Sequence, residues 1–285
     1  MSPIVIVTDS ASDIDPALIS QLGIEIVPLK VSFGDETFLD GITIRSTEFF
    51  ERLRTSDVFP RTSQPSPAEF SQKFKDISEK HGADVCIIAI LLSSQLSGTY
   101  QSAVIGKSML EQELDLTIID SKKGAMFEGL LAIEAAKMAR AGRSKQQILD
   151  EVDRMIQHMQ NFFILDTLEF LQKGGRIGRA SAFIGSLLNI KPILSLDANG
   201  AVYAFDKVRG NKKAVARMVD ELKTYAADAR VKVAIMHANA LEEAKALKER
   251  VNQEFQVIET YISEIGPVIG AHIGPGGIAC AMVKE

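Results

Sequence analysis

The sequence predicts an α/β fold in two units: a three-layer, parallel-sheet domain over residues 1–160 and a second α/β domain with a mixed sheet over 161–285. Three observations carry this. Apolar, β-branched runs such as Ile4-Val5-Ile6-Val7 and Val85-Cys86-Ile87-Ile88-Ala89-Ile90 alternate with helical stretches, the pattern of strands buried on both faces. Asn199-Gly200 separates two strand-like runs, 192–196 and 202–207, which signals a hairpin within an otherwise α/β order. At 285 residues and 46% hydrophobic composition, the chain can bury a sizeable core.

In chain order, the strand at 4–7 leads through Thr8-Asp9-Ser10-Ala11-Ser12-Asp13 to a helix near 15–22. Residues 24–32 alternate as a strand, and 46–55 read as a helix with Ser46 as N-cap. Thr62-Ser63-Gln64-Pro65-Ser66-Pro67 breaks regular structure before a helix over 68–81, where Ser66 and Glu69 fit a capping box and Pro67 the first helical position. A strand at 84–92, a helix at 99–112, a strand at 115–119 and helices at 124–141 and 145–158 follow. Beyond Asn161 come a strand at 162–165, a helical segment, the turn Lys173-Gly174-Gly175-Arg176 and a helix to about Asn189. After the hairpin the spacing predicts a helix at 211–226, a strand at 231–236, a helix at 240–254, a strand at 256–262 and a last strand ending at Val283.

Composition narrows the function. The net charge of −5 argues against general nucleic-acid binding. Residues 1–160 hold 16 basic and 23 acidic residues, and residues 161–285 hold 16 and 14. The window from Lys173 to Lys213 carries eight basic residues against Asp197 and Asp206: either a solvated basic face or a docking surface for an acidic protein or a phosphate. Cys86 and Cys280 both fall in apolar runs and read as buried free thiols. No leader and no run of membrane-spanning length precede or interrupt the pattern, so a cytoplasmic protein is expected.

Ligands of open α/β sheets sit beyond the carboxyl ends of the strands. Three such ends carry hydroxyls: Thr8 and Ser10, Ser93 and Ser94, and Ser121. The run Leu92-Ser93-Ser94-Gln95-Leu96-Ser97-Gly98-Thr99, where a buried strand gives way to a helix, offers hydroxyls and free backbone N–H groups without a lysine or arginine. It predicts a neutral cradle for a carboxylate or phosphate. Thr62 and Ser63 either fill an ordinary turn or close over that cradle. His272 stands among Gly270, Gly274, Gly276 and Gly277, where the backbone can approach a ligand closely.

Catalytic templates fail. Ser94 and His272 lack a G-x-S-x-G elbow and an evident third member. Asp9 and Asp13 do not have the D-x-D spacing of an aspartyl-phosphate site, which leaves Asp9 to orient neighbouring hydroxyls. Lys173-Gly174-Gly175-Arg176 is not a Walker A loop, and four histidines and two cysteines show no metal-ligand spacing.

Six strings in register, Thr8–Asp13, Thr62–Ser66, Ser93–Ala103, Lys173–Ile177, Lys191–Leu194 and Gly270–Gly276, resemble the DegV family across the whole chain. The resemblance implies a long-chain fatty acid such as palmitate in a tunnel between the two domains, with no cofactor, no metal and no catalytic residues. It implies further that the carboxylate is presented to a separate ATP-binding fatty-acid kinase subunit for acyl-phosphate formation. Carried over by position, Thr62 and Ser94 hold the carboxylate, His272 completes the network and Ser93 is a close neighbour. Arg176 and Lys173 face the kinase or the phosphate. The chain departs from the family at Ile273, where a threonine is usual. The rival readings are a Ser/His-dependent hydrolase or transferase, a covalent substrate-binding subunit like that of dihydroxyacetone kinases, and a purely regulatory lipid sensor.

Overall fold

The structure is a computed structural model that describes residues 2–183 and 190–285. The first half runs β1 (Ile4–Asp9), a 3-10 turn (Ser10–Ser12), α1 (Pro16–Leu22), β2 (Glu25–Val27), β3 (Lys30–Phe33), β4 (Glu36–Leu39), α2 (Ser46–Thr55), β5 (Arg61–Ser63) and α3 (Pro67–His81). It continues with β6 (Cys86–Leu91), α4 (Thr99–Ser108), β7 (Asp115–Asp120), α5 (Met126–Arg140) and α6 (Lys145–His158). The second half comprises β8 (Gln160–Ile164), α7 (Glu169–Lys173), a 3-10 segment (Gly178–Phe183), β9 (Ile190–Leu196), β10 (Val202–Arg209) and α8 (Asn211–Ala226). It closes with β11 (Arg230–His237), α9 (Leu241–Glu254), β12 (Gln256–Glu264), α10 (Pro267–Ile273) and β13 (Ile278–Lys284).

The expected parallel sheet is present with strand order β2-β1-β6-β7. Every residue of β6 is buried, as a central strand covered on both faces requires. One face packs on α3 and α4 through Val5, Ile87, Phe70 and Phe74. The other packs on α5, ten of whose fifteen residues are buried. A helix apolar on nearly all sides must be enclosed on nearly all sides, and α5 indeed lies between β1 and β6 on one side and β11 on the other. One core cluster therefore joins Ile6 and Ile88 to Leu131, Met236 and Ala281.

The second sheet is mixed, with order β10-β9-β8-β13-β11-β12; only β11 and β12 pair in parallel. Its far face buries Phe162, Ile193 and Val233 against Met218 of α8 and Val251 of α9. The Asn199-Gly200 hairpin joins β9 and β10, and Asp197 Oδ1 accepts from Asn199 N at 2.9 Å and Ala201 N at 3.1 Å.

Three local expectations change. The segment at Thr62 is a strand: β5 pairs with β3 in a small antiparallel sheet, β4-β3-β5. Ser46 is the first residue of α2 rather than its cap, which is Arg45 with no side-chain bond, whereas the Ser66–Glu69 capping box of α3 is present. The helix expected to reach Asn189 begins as the 3-10 segment 178–183, and its remainder lies outside the described residues.

Candidate functional site

A cavity opens between the two sheets. Leu29, Leu92, Leu96, Ala125 and Phe127 line it from the first half, and Phe163, Leu196, Met236, Ile269 and Ala279 from the second. Against this apolar wall stand six polar side chains: Thr62, Ser63, Gln64, Ser97, Arg176 and His272. Thr62, Arg176 and His272 also line an outer vestibule with Phe59, Arg61 and Lys173. These three residues thus mark the mouth, where a buried apolar channel meets a charged opening.

Each is placed by a different element. Thr62 lies on β5, held by its pairing with Val31. His272 sits in the last turn of α10 and is hydrogen-bonded through Nε2 to Thr62 Oγ1 at 2.8 Å. Its Nδ1 is buried with no partner among the described residues. Arg176 follows α7; its Nε donates to Leu96 O at 3.0 Å and Nη1 to Gly174 O at 2.8 Å. Burial, then the nearby Arg176 guanidinium, push the His272 pKa down to about 4, so the ring is neutral at physiological pH.

The glycines around His272 serve packing, not mobility. Gly266 caps α10, and Gly270 lies against α2, where a Cβ would meet Phe49 Cε1 at 2.9 Å and Phe50 Cζ at 3.1 Å. Gly274 ends the helix at φ +70°, a conformation glycine adopts at little cost.

Several expected residues are placed elsewhere. Ser94 is exposed and outside the cavity lining; its Oγ donates to Asp120 Oδ2 at 2.5 Å. Ser93 is fully buried, but its Oγ donates to Gly200 O at 3.0 Å and accepts from Gln95 N at 3.2 Å, fastening the loop to the hairpin. The hydroxyl from this loop that reaches the cavity is Ser97. The turn explains the exchange: Leu96 N and Ser97 N both donate to Ser93 O, which swings these two residues inward and leaves Ser94 outside. The other strand-end hydroxyls are spent internally: Thr8 on Glu128, Ser10 on Asp40 and Ser121 on Lys123 O.

Nor is the mouth free of cations. Arg176 lines it, where the residues around Ser94 alone predicted a neutral cradle. Lys173 is exposed on the vestibule, paired with Glu169 at 2.6 Å and 5.4 Å from the Phe59 ring centre.

Among the described residues no carboxylate orients His272 Nδ1, so there the Thr62–His272 pair lacks the third member that activates a hydroxyl. Ser94 and His272 do not meet. Among the described residues no cluster of three or more His, Cys, Asp or Glu suits a metal ion, and no helix is long and apolar enough to cross a membrane.

The DegV family model matches residues 3–285. The chain belongs to the DegV family. A DegV domain-containing protein of Halalkalibacterium halodurans is 37% identical over 286 residues, covering 100% of both chains. A DegV family protein from Thermus thermophilus, described by its fatty acid binding, superposes with a TM-score of 0.93 at 33% identity, covering 99% of this chain and 100% of that one. DegV of Bacillus subtilis, described as a fatty acid binding protein, gives a TM-score of 0.90 at 34% identity over 100% of both chains. The DegV architecture, a parallel sheet and a mixed sheet, is thus that of this chain throughout its length.

Proposed function

We propose that this protein binds one long-chain fatty acid, such as palmitate, with its alkyl chain in the cavity and its carboxylate at the mouth. The observation that carries the reading is the Thr62–His272 hydrogen bond beside Arg176 at the polar end of an otherwise apolar cavity. The fatty acid binding described for the Thermus and Bacillus relatives supports it. Thr62, Ser97 and His272 supply neutral partners for the carboxylate, and Arg176 supplies charge. A buried carboxylate without such partners costs several kcal/mol. Each buried methylene contributes roughly 0.8 kcal/mol, so a chain of about a dozen carbons brings on the order of 10 kcal/mol before ordering costs. The tail sets affinity, and the mouth sets orientation.

We infer further that residues 1–160 and 161–285 act as two domains that clamp the lipid in the cytoplasm. The bound carboxylate is presented through the vestibule to a separate ATP-binding kinase subunit, with Lys173 and Arg61 on its rim. The protein itself contributes no catalytic residue on this reading. Native mass spectrometry of the purified chain tests the first step: a mass excess that denaturation releases as a free fatty acid is expected. A covalent adduct on Ser94 or His272 instead supports an enzyme, and a chain that takes up no palmitate rules the carrier out.

A further inference from the structure

Between α2 and β5 the chain runs through a loop, residues 56–60, with few bonds of its own. Val58 N donates to Ser56 Oγ at 3.0 Å. Among the described residues no backbone group of residues 57–59 bonds to another element. Val58 is 47% exposed and Phe59 is partly buried. A segment so sparsely bonded opens readily unless side chains hold it. Phe59 is the side chain that does so. Its ring stacks on Phe170 with centroids 5.8 Å apart and planes 29° apart, and Lys173 Nζ stands 5.4 Å from the Phe59 centroid. Phe170 and Lys173 are three positions apart on α7 and so share one face of it. The ion pair from Lys173 Nζ to Glu169 at 2.6 Å restrains the ammonium on that face.

The two sides of this contact are not equally fixed. Leu171 is fully buried, and Phe170 lies so close to the end of α10 that a Cβ on Gly274 would run into its ring. α7 is therefore anchored on α10, and Phe59 is the partner free to leave. Thr62 lies three residues beyond Phe59, and Arg176 three beyond Lys173. The contact thus joins the two chain segments that carry opposite sides of the mouth. Phe59 and Lys173 line the outer vestibule, whereas the inner cavity is lined by none of Phe59, Phe170 and Lys173.

We propose that Phe59, Phe170 and Lys173 form a clasp across the mouth, whose opening admits and releases the fatty acid. The proposal rests on reading the cavity as a fatty-acid site and adds how that ligand passes. The two halves share one continuous core, so a chain entering elsewhere along their seam would have to part buried side chains. At the vestibule the walls come from separate elements: residues 58–62 on one side, and Lys173, Gly174, Arg176 and His272 on the other. Parting them breaks the Thr62–His272 bond and the clasp. An aromatic stack and a cation over a ring are each worth up to about tenfold in an equilibrium, enough to keep the mouth shut most of the time and still let it open often. Because the clasp does not touch the inner cavity, its loss favours opening equally with and without a bound chain. Entry and exit then accelerate by the same factor, and their ratio, the affinity, is unchanged. Loss of a contact to the ligand instead speeds exit alone.

Stopped-flow mixing of the full chain with cis-parinaric acid, a long-chain acid that fluoresces in apolar surroundings, gives the entry rate. Displacement of that acid by excess palmitate gives the exit rate. Phe59→Ala is expected to raise both rates by about tenfold and to leave Kd within about twofold. Phe59→Leu keeps bulk but offers no ring face; it should raise both rates by a smaller factor, which tests the clasp should Phe59→Ala fail to fold. An exit rate that rises while entry is unchanged would make Phe59 a ligand contact or a stabiliser of the bound form, and overturns the proposal. A folded Phe59 variant with both wild-type rates overturns it as well. If the wild-type chain binds neither acid, the fatty-acid reading fails instead. Hydrogen exchange of the β5 amides in the ligand-free chain then still decides the clasp: Phe59→Ala should speed it by about tenfold, and an unchanged rate means that Phe59 does not hold the strand.

Discussion

The Arg176 side chain donates from Nε to the Leu96 carbonyl at 3.0 Å, joining the loop after α7 to the loop after β6 across 80 residues of chain. With Nη1 on Gly174 O, two carbonyls fix the guanidinium beside His272. A cation pre-set in this way can meet a carboxylate without first losing rotamer freedom.

Arg176→Ala is accordingly expected to weaken palmitate binding by about tenfold or more, the loss of a hydrogen bond to a charged partner. Binding of the matching uncharged alcohol should change little. The substitution also removes a positive neighbour that depresses the His272 pKa, so that pKa rises. Arg176→Lys keeps the charge but not the planar fork, and recovers only part of the affinity. Titration calorimetry with the acid and the alcohol checks this; equal losses for both ligands would mean that Arg176 shapes the mouth without binding the head group.

Ser97 and Ser94 give opposite expectations. Ser97→Ala removes a hydroxyl from the cavity wall and should reduce affinity for the acid by a few fold, about 1 kcal/mol for a net hydrogen bond. Ser94→Ala removes an exposed hydroxyl bonded to Asp120 and should leave affinity unchanged and stability within roughly 0.5 kcal/mol. The reverse result in the two binding isotherms would restore Ser94 to the site.

What the sequence reveals and what it hides divide along the range of the interactions. The capping box at Ser66 and Glu69, the Asn199-Gly200 hairpin and the apolar run of β6 are set by residues a few positions apart, and all three are present. β5 escapes notice because three residues bounded by prolines become a strand only by pairing with β3. α10 escapes because its glycines look like freedom until Phe49 and Phe50 are seen against Gly270. Thr62 and His272, 210 positions apart, are each legible as candidates in the sequence, but they are joined in one site only by the family resemblance, and their bond is seen only in three dimensions. Which serine of the 93–97 loop turns inward depends on the bonds to the Ser93 carbonyl, which periodicity does not encode.

Gly174 offers a test that leaves every polar group in place. A Cβ there would collide with His272 Nδ1 and lie 3.0 Å from its Cε1. Gly174→Ala should displace the ring and break its bond to Thr62, lowering palmitate affinity while the circular dichroism of the fold is retained. Gly175→Ala, one residue on, meets nothing within 4 Å but carries a positive φ of 71°, so it should cost stability rather than affinity. Loss of affinity in both variants alike would attribute the effect to the loop and not to His272.

His272 also makes a prediction about pH and stability. Its folded pKa, about 4, lies below the ordinary 6.5 because burial and Arg176 disfavour the charged ring. Between these values the unfolded chain binds more protons than the folded one, so stability rises with pH. The contribution is fully present above about pH 6.5 and is lost as pH falls through the folded value near 4. His272→Gln cannot titrate and lacks this slope. The wild-type melting temperature minus that of His272→Gln, measured without ligand, should therefore shrink steadily from neutral pH towards pH 4. Taking the difference removes the opposing drift from Asp40, whose raised pKa stabilises the fold at low pH and ceases to do so as pH climbs through about 7. A difference that stays flat over the acid range would mean that the ring is already solvated when folded, and the dry setting that keeps His272 neutral beside Arg176 would not exist.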